Sequence, residues 1–557
     1  MALPAPDGRA SGSPQTYSTR AHLALLVVIV LIGAGLRLWR INWGLADRLA
    51  FADETYLWKP LLEAFVPIGL HSFFDTPLFY PTLYHYLAGL TAWAADAVGI
   101  IDARSPDGTF EMLSIARLLS AAFDSATIAV LYRIGAVYFS PATGLLAAAF
   151  VAVTPLHVLQ THYASVDPLL GFATTLAVLA ACRLHFSPDR GAAIWSGVCA
   201  GLAFTAKYTG LQALGLPVFA LLAHTGSPAG WRAALRLSIL GWVLLAFAAT
   251  TAVTCPPCVL TPSKPLNQIT RHAEIVTRAA TVFRNNELAE SLGWYGKPYL
   301  YQIVAGLPFV LGWALYLATA FGIVRAVIRR TPVDVIVLLH IATLFLFVAG
   351  SDVTFPRYLL PLLPACCLLA ARGVQDIRRD AIRRVVAVAV LGYTFALSAS
   401  QVDRFSYDQQ RSVARWIKTH AADTMQLDRR PVCGVAVGYQ SVPGDQMLFT
   451  YFTLTDPLED LGIDVRPLSV HQWFQPDVDF LVLSEWLITS ARRDEPDGDL
   501  ARALDRLTSA ASPYEPGPVW RPEFFTSGLY TILDPAFIGD LWQGEIGFRV
   551  FVRKPDG

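Results

Sequence analysis

Long apolar segments separated by short polar loops fill the chain from about residue 21 to about residue 401. An α-helix needs roughly 20 apolar residues to cross a bilayer, and about eleven segments meet that length. They centre near Ile29, Ala126, Ala149, Thr175, Gly197, Leu216, Leu245, Leu311, Leu339, Leu363 and Val390. The pattern predicts a polytopic α-helical membrane protein with about 11 transmembrane helices.

Two segments beside the first span are expected outside the bilayer core. Residues 1–20 are rich in Pro, Ser and Gly, which predicts a disordered cytoplasmic tail. Residues 41–112 are predicted to form the first outer loop, in which the apolar stretch Pro81–Ile101 is interpreted as a juxtamembrane helix along the membrane surface. Counting that stretch as another span would reverse the side assigned to every later loop.

The pattern changes after Val402, where no further span follows and charged and turn residues become frequent. Gln409–Ala421 has the periodicity of a helix. Short runs typical of strands lie at Pro431–Tyr439, Asp479–Trp486, Gly528–Leu533 and Phe548–Lys554. Residues 402–557 are therefore predicted to form a small extracytoplasmic α/β domain, following a transmembrane domain over residues 21–401.

Composition agrees with a membrane protein. The 557 residues are 54% hydrophobic and only 15% charged, with a mean hydropathy of +0.45. Soluble domains carry about 25% charged residues. Lys plus Arg and Asp plus Glu each number 43, so the formal net charge is zero, and this balance argues against a nucleic-acid partner.

Arginines in two short loops set the predicted orientation. Two spans separate these loops, so both lie on one side, which the positive-inside rule makes cytoplasmic. The first loop holds Arg325, Arg329 and Arg330, and the second holds Arg372, Arg378, Arg379, Arg383 and Arg384. The N-terminus then lies inside, in a bacterial cytoplasmic (inner) membrane, whereas Arg37, Arg40 and Arg48 fall outside against the rule.

Most of the seven cysteines lie in apolar segments and are interpreted as small buried side chains. The exception is Cys255-Pro256-Pro257-Cys258, at the end of a predicted span. A disulfide is one interpretation if that end faces an oxidising compartment. An ordinary helix end set by the two prolines is the favoured one.

Ionisable residues gather at the predicted outer ends of the spans. Asp53 and Glu54 follow the first span, and charged groups at a membrane boundary usually serve chemistry or a bound ion. Further candidates at outer ends are Arg117, His162, Tyr163, Asp167, Lys207 and Arg357. Carboxylates can deprotonate an acceptor hydroxyl, and cations can stabilise charge on a leaving group. At a membrane surface a lipid phosphate is a natural leaving group, which indicates a lipid-phosphate sugar donor.

Four short motifs give the chain a resemblance to a known family. They are Asp53-Glu54, Tyr163-Ala164-Ser165-Val166-Asp167-Pro168, Thr205-Ala206-Lys207 and Pro356-Arg357-Tyr358-Leu359-Leu360-Pro361. In this order they resemble the GT-C membrane glycosyltransferases, in particular glycosyltransferase family 39, with its bacterial protein O-mannosyltransferases and lipid A aminoarabinose transferase. The resemblance covers roughly residues 20–400. It implies a GT-C fold and inverting transfer of a sugar from a polyprenyl phosphate to an acceptor on the outer face.

The resemblance also implies roles for individual residues. Asp53 matches the general base, with Glu54 beside it, and Asp167 matches a second acidic residue that orients the donor or binds a metal. Lys207, Arg357 and Arg117 are the expected ligands of the donor phosphate. His162, Tyr163 and Tyr80 are expected to contact substrate. Tyr80-Pro81 stands where the aminoarabinose branch has Lys-Pro, so a different grip on the phosphate is expected.

The sequence leaves several alternatives open. Asp167, which precedes Pro168, could cap a helix instead of reacting. No tight metal-ligand spacing occurs, so no metal site is assigned, although a divalent cation held by Asp53, Asp167 and a histidine stays possible. A transporter or binding protein could use the same pocket for a lipid-linked sugar without cleaving it. The donor sugar, the carrier length and the acceptor (protein, lipid or glycan) do not follow from the sequence.

Overall fold

The computed structural model describes residues 19–45, 54, 80–105, 107–224, 237–270, 298–350, 356–403, 409–425, 429–436, 454–455, 458–484, 487–488, 498–520 and 548–555. Asp53, most of the N-terminal tail and the predicted strand Gly528–Leu533 lie outside these residues.

The described part of the first 403 residues is almost entirely helical. Its α-helices are α1 Thr19–Leu38, α2 Leu83–Ala97, α3 Gly108–Tyr138, α4 Pro141–Ala152, α5 Pro155–Gln160, α6 Val166–Phe186, α7 Arg190–Ala206, α8 Gly215–His224, α9 Leu237–Thr254, α10 Pro256–Leu260, α11 Pro298–Tyr301, α12 Leu307–Leu311, α13 Trp313–Arg329, α14 Pro332–Val348, α15 Leu363–Gln375 and α16 Asp380–Asp403. Short 3₁₀ helices cover Tyr208–Leu214 and Pro356–Leu362, and a π-helix covers Gln302–Gly306.

Every predicted span centre lies in one of these helices, which confirms the polytopic helical class. Five helices are long and apolar enough to cross a membrane, and a bent pair, Tyr299–Leu311 with Trp313–Arg329, adds a sixth if it is one span. Four other predicted spans are apolar helices of 10–17 residues, at Pro141–Ala152, Tyr208–Leu222, Ser238–Thr254 and Pro332–Val348. The protein is thus a multi-pass membrane protein in which several of the membrane-embedded helices are short.

Local capping explains where several helices begin. Ser140 accepts a hydrogen bond from the Thr143 amide at 3.1 Å and is followed by Pro141 at the first position of α4. Asp189 caps α7 by accepting from the Ala192 amide at 2.8 Å. At α14, Thr331 and Asp334 form a reciprocal capping box.

Glycines let some helices approach closely. A Cβ atom on Gly322 of α13 would overlap the backbone carbonyl of Leu369 in α15. A Cβ atom on Gly373 would stand 2.8 Å from the Cα of Gly322. Small residues allow such backbone contacts in membrane proteins, where helices associate through van der Waals packing.

A fully buried ion pair fixes the C-terminal half of α1 against the bundle. The Arg37 Nε donates to Asp124 of α3 at 2.6 Å, and its Nη atoms donate to the carbonyl oxygens of Ala152 and Val151 at 2.8 and 3.1 Å. His157 of α5 meets the other Asp124 oxygen at 2.5 Å. Arg37 is therefore a buried ion-pair partner and not a loop cation, so the positive-inside rule does not apply to it.

The two predicted arginine loops meet in one cluster. Arg329, at the end of α13, and Arg372, near the end of α15, both contact the Asp334 carboxylate, at 3.4 and 2.5 Å. Arg325 donates to Asp376 at 3.0 Å. This confirms that the two loops lie on the same side, at the end of α15 remote from the Pro356–Leu362 segment.

The predicted helix in the first outer loop is present as α2. Its Tyr84 hydroxyl donates to the Ala116 carbonyl of α3 at 2.7 Å, which seats one face on the bundle. On the other face, Leu90 and Trp93 are 58% and 57% exposed, as expected for a helix that contacts lipid.

The C-terminal region forms a small α/β unit, as predicted. Helix α17 spans Gln409–Asp423 and α18 spans Asp499–Thr508. The strands are β1 Val432–Ala436, β2 Asp464–Leu468, β3 Phe480–Ser484, β4 Tyr514–Trp520 and β5 Phe548–Arg553, in the order β2-β1-β3-β5-β4. Strands β1–β3 pair in parallel and β5 is antiparallel to β3 and β4. Strands β2 and β4 were not predicted, since Pro467, Pro516 and Pro518 interrupt their alternation.

Candidate functional site

An ion pair between two of the predicted site residues lies at the centre of the candidate site. The Lys207 Nζ donates to Asp167 Oδ1 at 2.7 Å, and the two side chains are only 8% and 4% exposed. Asp167 lies in the first turn of α6, and Lys207 directly follows α7. Because the two helices run antiparallel, the start of one and the end of the other meet.

Ser165, and not Asp167, caps the N-terminus of α6. Ser165 caps α6, accepting from the Asp167 amide at 3.2 Å, and the Ser165 hydroxyl in turn donates to Asp167 Oδ2 at 3.2 Å. The capping interpretation of Asp167 is therefore wrong, because its carboxylate contacts Lys207 and a serine rather than amides of its own helix. Ser165 and Lys207 hold this carboxylate at both oxygens.

Two tyrosines and a second cation surround Lys207. The Nζ atom lies 5.6 Å from the ring centroid of Tyr80 and 4.9 Å from that of Tyr358. The Arg357 guanidinium carbon lies 5.8 Å from the same Tyr358 ring. Both distances from Lys207 fall in the range of cation–π attraction. Three of the four sequence motifs and the Tyr80-Pro81 pair thus converge on one ammonium group.

Local structure places Arg357 and Tyr358 in this cluster. Pro356–Leu362 is a 3₁₀ helix that leads directly into α15, and Pro361 interrupts regular α-helical hydrogen bonding within it. Arg357 is 9% exposed, so its charge is largely withdrawn from solvent beside the pair. Lys207 and Arg357 bring two cations into this buried cluster with Asp167, and cations of this kind bind anionic ligands by charge-assisted hydrogen bonds.

Glu54 and Arg117 form a second buried pair. Arg117 Nε and Nη2 each donate to one Glu54 oxygen at 2.8 Å, a bidentate arrangement in which both side chains are fully buried. Glu54 Oε1 also accepts from the Ala164 amide at 2.7 Å. The pair therefore ties the residue beside Asp53 to the segment that leads into Asp167.

His162 and Tyr163 belong to the same buried support. The His162 Nδ1 and Nε2 atoms lie 2.9 and 2.8 Å from the carbonyl oxygens of Val158 and Trp39. Tyr163 packs edge-on against Trp43, with ring centroids 5.9 Å apart. Trp43 also donates its indole N–H to the His162 carbonyl at 3.0 Å and lies under Arg117, whose guanidinium carbon is 4.9 Å from its ring.

Three residues of these networks are not among the candidates that the sequence indicates. Tyr358 lies inside a motif in which only the arginine carries an expected role, so its position beside Arg357 is a usable signal. Trp43 resembles one more interfacial aromatic residue. Asp124 is an acidic residue in an apolar helix, which signals a buried partner without saying which one.

Asp53, the predicted general base, lies outside the described residues. Among the residues that the structure does describe, no group of three His, Cys, Asp or Glu side chains could hold a metal ion. The Asp167 carboxylate contacts the Lys207 ammonium and the Ser165 hydroxyl, a cation and a hydroxyl rather than further carboxylates or imidazoles.

Comparison with solved structures identifies the class of fold. The apo oligosaccharyltransferase of Archaeoglobus fulgidus superposes with a TM-score of 0.52 at 14% identity, over 92% of this chain and 75% of that one. Apo ArnT of Cupriavidus metallidurans gives 0.49 at 14% identity, over 95% and 98% of the two chains. The Pmt1–Pmt2 O-mannosyltransferase complex of S. cerevisiae gives 0.34 at 17% identity, over 42% and 33%. The likeness to the oligosaccharyltransferase shows a fold of the GT-C membrane glycosyltransferase type.

Part of the chain also matches a known protein family. The family described as dolichyl-phosphate-mannose-protein mannosyltransferase matches residues 111–254, the part of the chain that carries Arg117, Asp167 and Lys207. No curated protein matches the chain. Together, the fold and the family match support a membrane glycosyltransferase of the GT-C class.

Proposed function

We propose that the protein transfers a sugar from a polyprenyl-phosphate-linked donor to an acceptor on the outer face of a bacterial cytoplasmic membrane. The observation that carries this proposal is the Asp167–Lys207 pair, with Arg357 and two tyrosine rings around it. A family whose description names a lipid-phosphate-linked mannose matches the segment that contains both partners of the pair.

In this proposal Lys207 and Arg357 bind the phosphate of the donor. Two cations in a poorly hydrated site stabilise the negative charge that develops on the phosphate oxygen as the glycosidic bond breaks. Asp167 keeps Lys207 oriented in the absence of donor and partly balances its charge. The lipid tail remains among the apolar helices, and the sugar extends toward the first outer loop.

Asp53 acts as the general base for the acceptor. It takes the proton of the acceptor nucleophile while that atom attacks the anomeric carbon from the side opposite the phosphate, so the configuration inverts. Glu54 follows Asp53 and is fixed by Arg117 and Ala164. We infer that this pair positions Asp53 beside the donor site, and that Arg117 affects the phosphate through that placement.

The remaining assignments concern the acceptor and the surroundings. Tyr80, Tyr163 and His162 are proposed to shape the substrate cavity, and the C-terminal domain is proposed to recognise the acceptor on the outer side. The acceptor is a protein, a lipid or a glycan. The first candidate for a direct substrate contact is Tyr80, because it is only partly buried beside Lys207.

The test is release of free polyprenyl phosphate by the purified protein in lipid discs from a panel of polyprenyl-phosphate sugars, with and without membrane extract as a source of acceptor. Release from one donor supports a glycosyltransferase and identifies the sugar. Binding of donor without release under either condition supports the alternative, a transporter or binding protein for a lipid-linked sugar.

A further inference from the structure

Two cysteines at the end of α9 are not used by the proposed function. Cys255 and Cys258 flank the Pro256-Pro257 pair, and both are free thiols in the structure. The Cys258 amide donates to the Cys255 carbonyl at 2.9 Å, which closes a turn. Such a turn keeps the outer Cα atoms within about 7 Å. A disulfide needs about 4.4–6.8 Å, so the backbone already has a spacing that suits one.

The two thiols differ in exposure. The neighbouring Cys258 thiol lowers the pKa of Cys255 below that of an ordinary thiol. Cys258 is partly exposed, whereas Cys255 is buried. A reagent can therefore reach the Cys258 sulfur, and Cys255 lies in the same turn. This is the arrangement that a reactive cysteine and a resolving cysteine require.

We propose that Cys255 and Cys258 form a reversible disulfide with each other, by thiol–disulfide exchange with a disulfide-bearing oxidant. The Cys258 thiol passes its proton to the Cys255 thiolate and attacks one sulfur of the oxidant, which releases one thiolate and leaves a mixed disulfide on Cys258. The Cys255 thiolate then attacks the Cys258 sulfur and expels the second thiolate. The proton from Cys258 passes through Cys255 to the first released thiolate, the second released thiolate takes up a proton from water, and two electrons reduce the oxidant.

The pair is joined to the start of α2. The Thr82 hydroxyl donates to the Thr254 carbonyl at 2.8 Å, and Thr254 directly precedes Cys255. Thr82 stands two residues after Tyr80, whose ring lies over Lys207. Closing the disulfide shifts the backbone at Cys255, so oxidation disturbs the neighbouring hydrogen bond between Thr254 and Thr82. With the outward orientation of the proposed function, the site would thereby respond to the redox state of the outer compartment, where disulfides persist.

The other five cysteines provide an internal control. Cys182, Cys199, Cys366, Cys367 and Cys433 are all buried. Burial also raises the pKa of Cys433, in the C-terminal domain, so this thiol is poorly reactive. An oxidant that acts on accessible thiols should therefore select the Cys255–Cys258 pair.

The experiment treats the full-length protein in lipid discs with glutathione disulfide, blocks remaining thiols with N-ethylmaleimide after denaturation, and analyses peptides by mass spectrometry. We expect the peptide with Cys255 and Cys258 to lose two hydrogens, to carry no glutathione or maleimide, and to recover both thiols with dithiothreitol. Hydrogen exchange at residues 80–86 should become faster in the oxidised form. Neither readout depends on glycosyltransferase activity.

Variants define the order of the two steps. Cys255→Ser should leave glutathione attached to Cys258, because the resolving thiol is absent, whereas Cys258→Ser should leave Cys255 unmodified. Cys433→Ser should oxidise like the wild type. Persistent glutathione on Cys258 in the wild type, or unmodified thiols at both positions, would overturn the disulfide. A disulfide with unchanged exchange at residues 80–86 would overturn its coupling to α2.

Discussion

Lys207 and Asp167 lie 40 residues apart in sequence and 2.7 Å apart in space, in a pair that is almost completely buried. Removing one partner leaves the other charge buried without compensation, which strongly destabilises the folded protein. The pair therefore matters for stability in the free protein and for phosphate binding in the proposed function.

Asp167→Asn should lower the free energy of unfolding by about 3–5 kcal/mol, because Lys207 would lose its buried counter-charge. Thermal unfolding followed by tryptophan fluorescence in lipid discs measures the effect. Lys207→Met together with Asp167→Asn should recover part of the loss, since no buried charge remains. Equal loss in the double variant and in Asp167→Asn would contradict the pairing.

A matched control for that experiment is Asp380→Asn. Asp380 also accepts from a cation, Arg383, at 2.7 Å, but its side chain is 64% exposed. Exposed pairs contribute at most about 1 kcal/mol, and often nothing measurable. The control should therefore unfold within a few degrees of the wild type.

Arg117→Lys should destabilise the protein although the charge is kept. A lysine cannot reproduce the two parallel hydrogen bonds to Glu54 or the further donation to the carbonyl oxygens of Ile41 and Trp43, at 3.1 and 2.7 Å. If Arg117 acts by positioning, Arg117→Lys should lower kcat more than it raises KM for the donor. A pure increase in KM would favour direct phosphate binding by Arg117.

Asp124→Asn should be among the most damaging single substitutions in α3. The variant would leave Arg37 fully buried without its carboxylate and would weaken the contact of His157. A loss of about 3–5 kcal/mol is expected from the ion pair alone. Thr127→Ser in the same helix is the control, because its hydroxyl donates only to the Phe123 carbonyl and can keep doing so.

Gly322→Ala should separate α13 from α15. The added methyl group would overlap the Leu369 carbonyl, and forced overpacking typically costs about 1–3 kcal/mol. Gly392→Ala in α16 is the control, since nothing lies within 4 Å of its added Cβ atom. There the better helix propensity of alanine should leave stability unchanged or raise it slightly. Similar melting temperatures for the two variants would refute the close approach.

Sequence patterns were sufficient to predict the helices but not to predict which residues of different helices contact each other. The apolar run around Val390 predicts a helix because hydrophobicity over about 20 residues is a local property. The bond from Arg37 to Asp124 joins residues 87 positions apart and depends on how α1 and α3 pack. Because the sequence does not reveal this contact, Arg37 was counted as a loop charge when the orientation was predicted. The starts of three helices, by contrast, depend on local N-capping residues, Ser140, Asp189 and Thr331.

In the candidate site, too, the sequence predicts the residues but not all of their contacts. The order of the motifs along the chain identified Asp167, Lys207 and Arg357 as members of one family pattern. The structure brings Lys207 and Arg357 to the Tyr358 ring and Asp167 to Lys207. That Glu54 and Arg117 meet each other could not be foreseen, because both carried a plausible separate role at the membrane surface. Residue type gives the available chemistry, whereas packing decides which charges are already paired.

The most direct test of the central claim compares wild type, Asp53→Asn and Asp102→Asn in the release of polyprenyl phosphate from the donor found with the panel. Asp102 is an exposed carboxylate of the same outer region and serves as the matched control. We predict full activity for Asp102→Asn and a loss of about 10²–10⁴-fold in kcat for Asp53→Asn, with donor affinity unchanged, because only the proton acceptor is removed. Full turnover by Asp53→Asn would contradict the proposed mechanism.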